Sequence, residues 1–177
     1  MTAGHPWRGL VAMVGAALVL AGACFGGASD WPQWRGPNRD GLSAETGLLK
    51  QWPESGPKLI WTAKGLGDGY ASVAIADGLI YTAGNVGADM MLSALGLDGK
   101  TQWQVKVGPA YKGDSPGSRS TPTVDGASLY CETPDGMVSC LDAKTGKEAW
   151  SVNILTEFKG RNITWALSEA PLIDGGN

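Results

Sequence analysis

The residues with the greatest capacity for chemistry are few in this 177-residue chain. Its single histidine, His5, lies in an apolar N-terminal stretch, so the segment after residue 28 contains no imidazole. Histidine-based acid–base catalysis, a serine–histidine–aspartate triad and histidine-bound zinc are therefore excluded from that segment. No aspartates recur at the spacing of a calcium-binding loop. The sequence consequently predicts no catalytic residue and no metal site within the chain.

Two charged residues, Arg119 and Glu169, are the candidates for contact with a ligand. Arg119 lies six residues before Asp125, and Glu169 lies five residues before Asp174, at neighbouring positions of a repeated unit. We expect both side chains to stand where an innermost strand begins, facing a central channel. The alternative is that they pair with neighbouring sheets or are simply solvated there.

Cys131 and Cys140 flank the turn at residues 134–136 and leave two alternatives open. A two-residue Asp-Gly turn would place the cysteines directly opposite each other, at a separation that a disulfide bridges. A three-residue Pro-Asp-Gly loop shifts the register by one residue and places them on opposite faces. Export from the cytoplasm would permit a disulfide, but two buried thiols are the favoured interpretation.

These residues belong to a unit that the chain repeats, marked by an Asp-Gly pair and a tryptophan that recur every 42 to 49 residues. The aspartates are Asp77, Asp125 and Asp174, and the tryptophans are Trp61, Trp103 and Trp150. Each unit carries four short apolar runs separated by turn residues, which is typical of a β-propeller blade. Helical repeats would need 3.6-residue periodicity over about ten residues or more. Chance recurrence of turns in a β-sandwich is the weaker alternative, because the landmarks recur together and in order.

The predicted fold class is therefore all-β, a β-propeller of four-stranded antiparallel blades, of which about two and a half are present. Complete blades are expected over residues 68–107 and 118–153, with the fourth strand of each following its tryptophan. Residues 57–61 are predicted to be the last strand of another blade, and residues 170–174 the first strand of a further one. The domain at 57–177 is thus interpreted as part of a longer propeller, and the chain as its N-terminal fragment.

Residues 1–28 are predicted to be an export signal peptide. Arg8 precedes an apolar run that is shorter than the roughly twenty residues needed to span a membrane, and small residues follow it. The protein is therefore expected in the periplasm or outside the cell. Lipidation at Cys24 is the less favoured alternative, and it is the only expected route to a membrane.

Residues 29–56 are rich in proline, glycine and turn-forming residues. They are predicted to form an irregular leader packed on the propeller, because exposed indoles would leave large apolar areas in water. The indoles concerned are Trp31, Trp34 and Trp52. A ligand-binding loop over residues 30–41 is the alternative. The net charge of -3, without a cluster of lysines or arginines, indicates no nucleic-acid partner.

Residues 140–150 resemble the tryptophan-docking repeat of the pyrroloquinoline-quinone-binding-like propellers, the quinoprotein alcohol dehydrogenase-like superfamily. The repeat reads Ala-x-Asp-x-x-Thr-Gly-Lys-x-x-Trp, and the chain has Cys140 in place of the alanine. The matching residues are Asp142, Thr145, Gly146, Lys147 and Trp150. The resemblance implies that each tryptophan stacks on the turn of a neighbouring blade, which gives Trp61, Trp103, Gly146 and Trp150 structural docking roles. The copy of the repeat at 94–103 is one residue shorter than the copy at 140–150. Separately, residues 30–41 resemble the start of exported planctomycete-type members of the superfamily.

Members of that superfamily have two kinds of function, and the resemblance implies one of them for this chain. Its quinoprotein dehydrogenases hold the quinone with calcium, an aspartate base and often two adjacent cysteines, whereas members such as the outer-membrane assembly lipoprotein bind proteins. No two cysteines are adjacent in this chain. We expect a binding or assembly scaffold in the cell envelope, with a protein partner or small ligand at the channel. The alternative is a dehydrogenase dependent on pyrroloquinoline quinone and calcium, with most active-site residues beyond residue 177.

Overall fold

Short apolar runs rich in β-branched and aromatic residues, each closed by turn residues, fold into two four-stranded antiparallel sheets. The computed structural model describes residues 30–175. This architecture confirms the predicted all-β class and the four-stranded blades. The export signal predicted at 1–28, with the lipidation alternative at Cys24, lies outside the described residues.

The strands follow one another in chain order within each sheet. The first blade contains β1 (Ala74–Ala76), β2 (Leu79–Val86), β3 (Asp89–Gly96) and β4 (Thr101–Pro109). The second blade contains β5 (Thr123–Asp125), β6 (Ser128–Glu132), β7 (Met137–Asp142) and β8 (Glu148–Asn153). A four-residue helix, α1 (Ile154–Glu157), follows β8. No helix among residues 30–175 is long and apolar enough to cross a membrane.

Turn chemistry sets the register of both blades. Asp77 and Gly78 have φ values of 50° and 76° and join Ala76 to its partner Leu79, as the favoured two-residue hairpin turn requires. The β6–β7 hairpin instead has a three-residue loop at 134–136, closed by a hydrogen bond from the Thr133 amide to the Met137 carbonyl (2.8 Å). The two hairpins therefore differ in loop length, with two residues in the first and three in the second.

This three-residue loop places Cys131 opposite Ser139 and Cys140 opposite Tyr130, so the two cysteines point to opposite faces of the sheet. Both thiols are free and buried. Burial raises the pKa of Cys131 to about 12, which keeps that thiol protonated at neutral pH. Of the two alternatives left open by the sequence, the disulfide between Cys131 and Cys140 does not form in the structure.

The expectation that the fourth strand follows the tryptophan is wrong. Trp103 is the third residue of β4, opposite Ala94, and Trp150 is the third residue of β8, opposite Cys140. The reason is packing within the blade, because each indole lies against the tyrosine of the second strand. The ring centroids are 6.1 Å apart for Tyr81 and Trp103 and 6.2 Å apart for Tyr130 and Trp150.

Trp103 lies on the turn that follows β7 in the second blade. A Cβ atom on Gly146 would be only 2.7 Å from the indole ring, so only glycine permits this approach. The indole N–H donates to the Ala143 carbonyl at 3.1 Å, and the Tyr81 hydroxyl donates to the same oxygen at 3.2 Å. One indole therefore joins the two blades.

Trp61 makes the same contact one repeat earlier. A Cβ atom on Gly99 would be 2.7 Å from its ring, and its N–H donates to the Leu97 carbonyl at 3.0 Å. The shorter turn of the first blade thus still receives an indole. Trp150 is 47% exposed, and none of the turns at residues 30–175 covers it in this way.

The leader packs on the blades only at its start. Trp31 exchanges backbone hydrogen bonds with Ile75 (2.8 and 2.9 Å), and the Val124 amide donates to the Pro32 carbonyl (2.8 Å). The prediction that Trp34 and Trp52 anchor the leader is wrong, because they are 48% and 63% exposed. Residues 57–61 and 170–174 have no sheet partner among the described residues, and their assignment to further blades stays a prediction.

Candidate functional site

The segments that precede β1 and β5 lie side by side at the inner edge of the two blades. Gly69 and Ser118 form a parallel bridge, and the Tyr70 amide donates to the Ser118 carbonyl at 2.7 Å. A Cβ atom on Gly117 would be only 2.6 Å from the Gly69 Cα. The two backbones can approach this closely because Gly117 has no side chain. This contact fixes the positions of the residues that follow in each segment.

A cavity of about 380 Å³ opens beside these inner segments, where they meet the leader and residues 168–170. Two guanidinium groups, one carboxylate and two aromatic rings line it, from Arg39, Arg119, Glu169, Trp34 and Tyr70. Both candidates from the sequence, Arg119 and Glu169, thus lie at one cavity. The sequence reasoning missed Tyr70, whereas Trp34 and Arg39 lie in residues 30–41, the segment considered as an alternative ligand-binding loop.

Arg119 is held in place by neutral groups. Its Nη2 donates to the carbonyls of Asp114 (2.8 Å) and Ser115 (3.0 Å). The guanidinium carbon lies 4.9 Å from the centre of the Tyr111 ring and 5.8 Å from that of Tyr70, within the range of cation–π attraction. Its buried Nε has no hydrogen-bond partner among the described residues. The guanidinium is therefore oriented but only partly satisfied.

Arg39 is fixed in a similar way from the other side of the cavity. Its Nε donates to the Gln33 side-chain oxygen at 2.9 Å, and its Nη2 donates to the carbonyls of Ala170 and Pro171, both at 2.9 Å. Thr123 also donates its hydroxyl to the Pro171 carbonyl at 2.7 Å. Arg39 thus ties the leader to the segment that carries Glu169.

Glu132, the last residue of β6, is a second carboxyl group in electrostatic contact with Glu169. Only 6% of Glu132 is exposed, and burial, followed by the negative charge of Glu169, raises the pKa of Glu132 to about 7. Tyr81 and Tyr130 occupy equivalent positions, so Glu132 stands where the first blade has the buried Ala83. A charged residue at a buried position of the repeat was the sequence signal that could have identified it.

The described residues do not by themselves fit a calcium ion. Calcium takes six to eight oxygen ligands, including several carboxylates and carbonyls. Residues 30–175 contain no group of three or more histidine, cysteine, aspartate or glutamate residues that could hold a metal ion. The cavity offers one carboxylate beside two guanidinium groups, which would repel a cation. Binding of quinone and calcium stays a prediction for the full-length protein.

Comparison with known proteins supplies a family for this architecture. Residues 41–177 match the family described as outer membrane protein assembly factor BamB. No curated protein sequence matches the chain significantly. The sequence match covers both blades and the segment that carries Glu169.

The solved structures that are similar to this chain include two quinohemoprotein alcohol dehydrogenases. Quinohemoprotein alcohol dehydrogenase from Comamonas testosteroni superposes with a TM-score of 0.54 at 20% sequence identity, over 84% of this chain and 22% of that enzyme. Quinohemoprotein alcohol dehydrogenase ADHIIG from Pseudomonas putida HK5 gives a TM-score of 0.45 at 23% identity, over 63% of this chain and 16% of that enzyme. The chain therefore spans about a fifth of the length of the first enzyme. The first likeness shows the propeller fold.

Proposed function

The chain belongs to the family described as outer membrane protein assembly factor BamB, and we propose that it is part of a binding and assembly scaffold in the cell envelope. The observation that carries this proposal is the cavity at the inner edge of the blades. It combines charged and aromatic side chains on a rigid frame of two docked sheets. Propeller folds present such inner edges to ligands and partner proteins, and fold alone does not imply catalysis.

The charges at the cavity support binding to another molecule because they are not neutralised by each other. The ion pairs among residues 30–175 are Lys100–Asp98 and Lys106–Asp89, both on the surface of the first blade. Arg39, Arg119 and Glu169 therefore remain without an ionic partner in this part of the chain. Interfaces favour arginine and aromatic residues because they contribute most to binding energy.

Photo-crosslinking tests the scaffold function. A photoreactive phenylalanine analogue in place of Tyr70 lies at the cavity, whereas the same analogue in place of the exposed Phe158 lies outside it. With the full-length protein in its own envelope fraction, we expect a discrete protein adduct from position 70 and none from position 158. Equal or absent adducts at the two positions would contradict a partner at this cavity.

A cofactor assay distinguishes the dehydrogenase alternative from the scaffold function. Pyrroloquinoline quinone and calcium are added to the full-length protein, and cofactor absorbance and dye-linked oxidation of alcohols or sugars are measured. Both signals together would support the enzyme. Absence of both, with circular dichroism showing a retained fold, would support the scaffold.

A further inference from the structure

We propose that the cavity binds one carboxylate of its partner, an aspartate or glutamate side chain in an extended peptide, between the guanidinium groups of Arg39 and Arg119. The inference rests on the function proposed above, since it names the chemistry of the partner at the same site. Arginine is well suited to this task, because it keeps its positive charge and its N–H donors form charge-assisted hydrogen bonds with carboxylates.

The two guanidinium groups are already oriented before a ligand arrives. Arg119 contacts backbone carbonyls through Nη2, and Arg39 contacts backbone carbonyls through Nη2 and a side-chain amide through Nε. Because all these acceptors are neutral, they fix the side chains without neutralising the positive charges. A partner carboxylate therefore gains attraction without the usual cost of ordering two long side chains.

Glu169 restricts which anions fit the cavity. Its carboxylate lines the same space and would repel a second negative charge, so a phosphate or a dense polyanion is disfavoured relative to a single carboxylate. The hydroxyl-bearing residues Ser72, Thr121 and Ser168 also line the cavity and provide hydrogen-bonding groups for the peptide units beside that carboxylate. The arrangement favours one negative charge flanked by neutral polar groups.

The size of the cavity favours a peptide side chain over a repeating acidic polysaccharide. Its volume of about 380 Å³ is at the lower end of ligand pockets, which run from roughly 300 to 1,000 Å³. Tyr70 is 65% exposed and Trp34 48% exposed, so their rings are accessible to the apolar part of an anchoring residue. A single anchoring side chain fits this space, whereas a polymer would need an extended groove.

Two matched peptides test the proposal by titration calorimetry with the full-length protein. One is acetyl-Ala-Ala-Glu-Ala-Ala-amide, and the other has glutamine in place of glutamate. We expect the glutamate peptide to bind at least about tenfold more tightly than the glutamine peptide, because the glutamine peptide lacks one charge-assisted contact. Arg119→Met and Arg39→Met are each expected to remove this preference, and Arg119→Lys to retain only part of it.

The control variant is Arg161→Met, because Arg161 is an exposed arginine that does not line the cavity. It should keep the full preference for the glutamate peptide. Circular dichroism and thermal unfolding establish that each variant is folded, and the second arginine keeps the test decisive if one variant fails to fold.

Several outcomes would overturn the proposal. These are equal binding of the two peptides, an unchanged preference in both arginine variants, binding of sodium acetate as tight as the glutamate peptide, or binding of alginate oligosaccharide in place of peptide. If the adduct at position 70 forms but the peptides are not distinguished, the scaffold function stands and only this inference fails. If the adduct is also absent, the proposed function fails with it.

Discussion

The two blades have the same local construction and different surroundings. In each, the tryptophan is the third residue of the fourth strand, a bulge precedes it, and its ring lies about 6 Å from the tyrosine of the second strand. Trp103 then docks on the turn at Ala143 and Gly146, whereas Trp150 is 47% exposed. Strand, bulge and ring contact therefore arise within one blade, but docking depends on the turn of the next.

The largest change in stability is expected when the indole of each blade is removed. Trp103→Ala is expected to lower the free energy of unfolding by about 3 to 4 kcal/mol, because it leaves a cavity between the blades and removes one of the two hydrogen bonds that the Ala143 carbonyl accepts. The matched change Trp150→Ala should cost about 1 kcal/mol, since less area is buried. Urea-induced unfolding monitored by circular dichroism measures both. Equal losses would show that inter-blade docking contributes little.

The second test uses the position at which the first blade has Ala83 and the second has Glu132. The folded pKa of Glu132, about 7, is above its ordinary value of 4.5, so the folded state holds a proton that the unfolded state releases between these pH values. Stability is therefore expected to fall as the pH rises through this window.

Glu132→Gln removes this titration. The variant should be more stable than the wild type above pH 7, by at most about 3 kcal/mol, and similar to it near pH 4. Thermal unfolding at a series of pH values measures the difference. A difference that does not change with pH would show that Glu132 does not carry this proton.

The smallest expected effect comes from the turn that receives Trp103. Gly146 has a φ of 70°, and an added Cβ would meet the indole, so Gly146→Ala should cost about 2 kcal/mol. Gly126→Ala is the control, because Gly126 has a φ of 55° but nothing within 4 Å of an added Cβ. It should cost about 1 kcal/mol. Chemical denaturation distinguishes the two, and identical losses would mean that only backbone strain matters.

The sequence by itself indicated the two complete blades, whereas the docking of the tryptophans on neighbouring turns was implied by the resemblance to a known repeat. Short apolar runs and Asp-Gly turns are local signals, and they predicted the four-stranded blades and the recurring tryptophans. The register at residues 134–136 was left open because both loop lengths are locally acceptable. Only the folded hairpin separates Cys131 from Cys140.

The tertiary structure alone decided the composition of the cavity. Arg119 and Glu169 were found from their place in the repeat, but Arg39 contacts a carbonyl 131 residues away, and the leader that carries it has no periodicity. The raised pKa of Glu132 likewise depends in part on Glu169, which is 37 residues away in the chain. Local patterns report which face of a strand a residue occupies. The charge and solvent exposure of a site are set by which separate segments meet there.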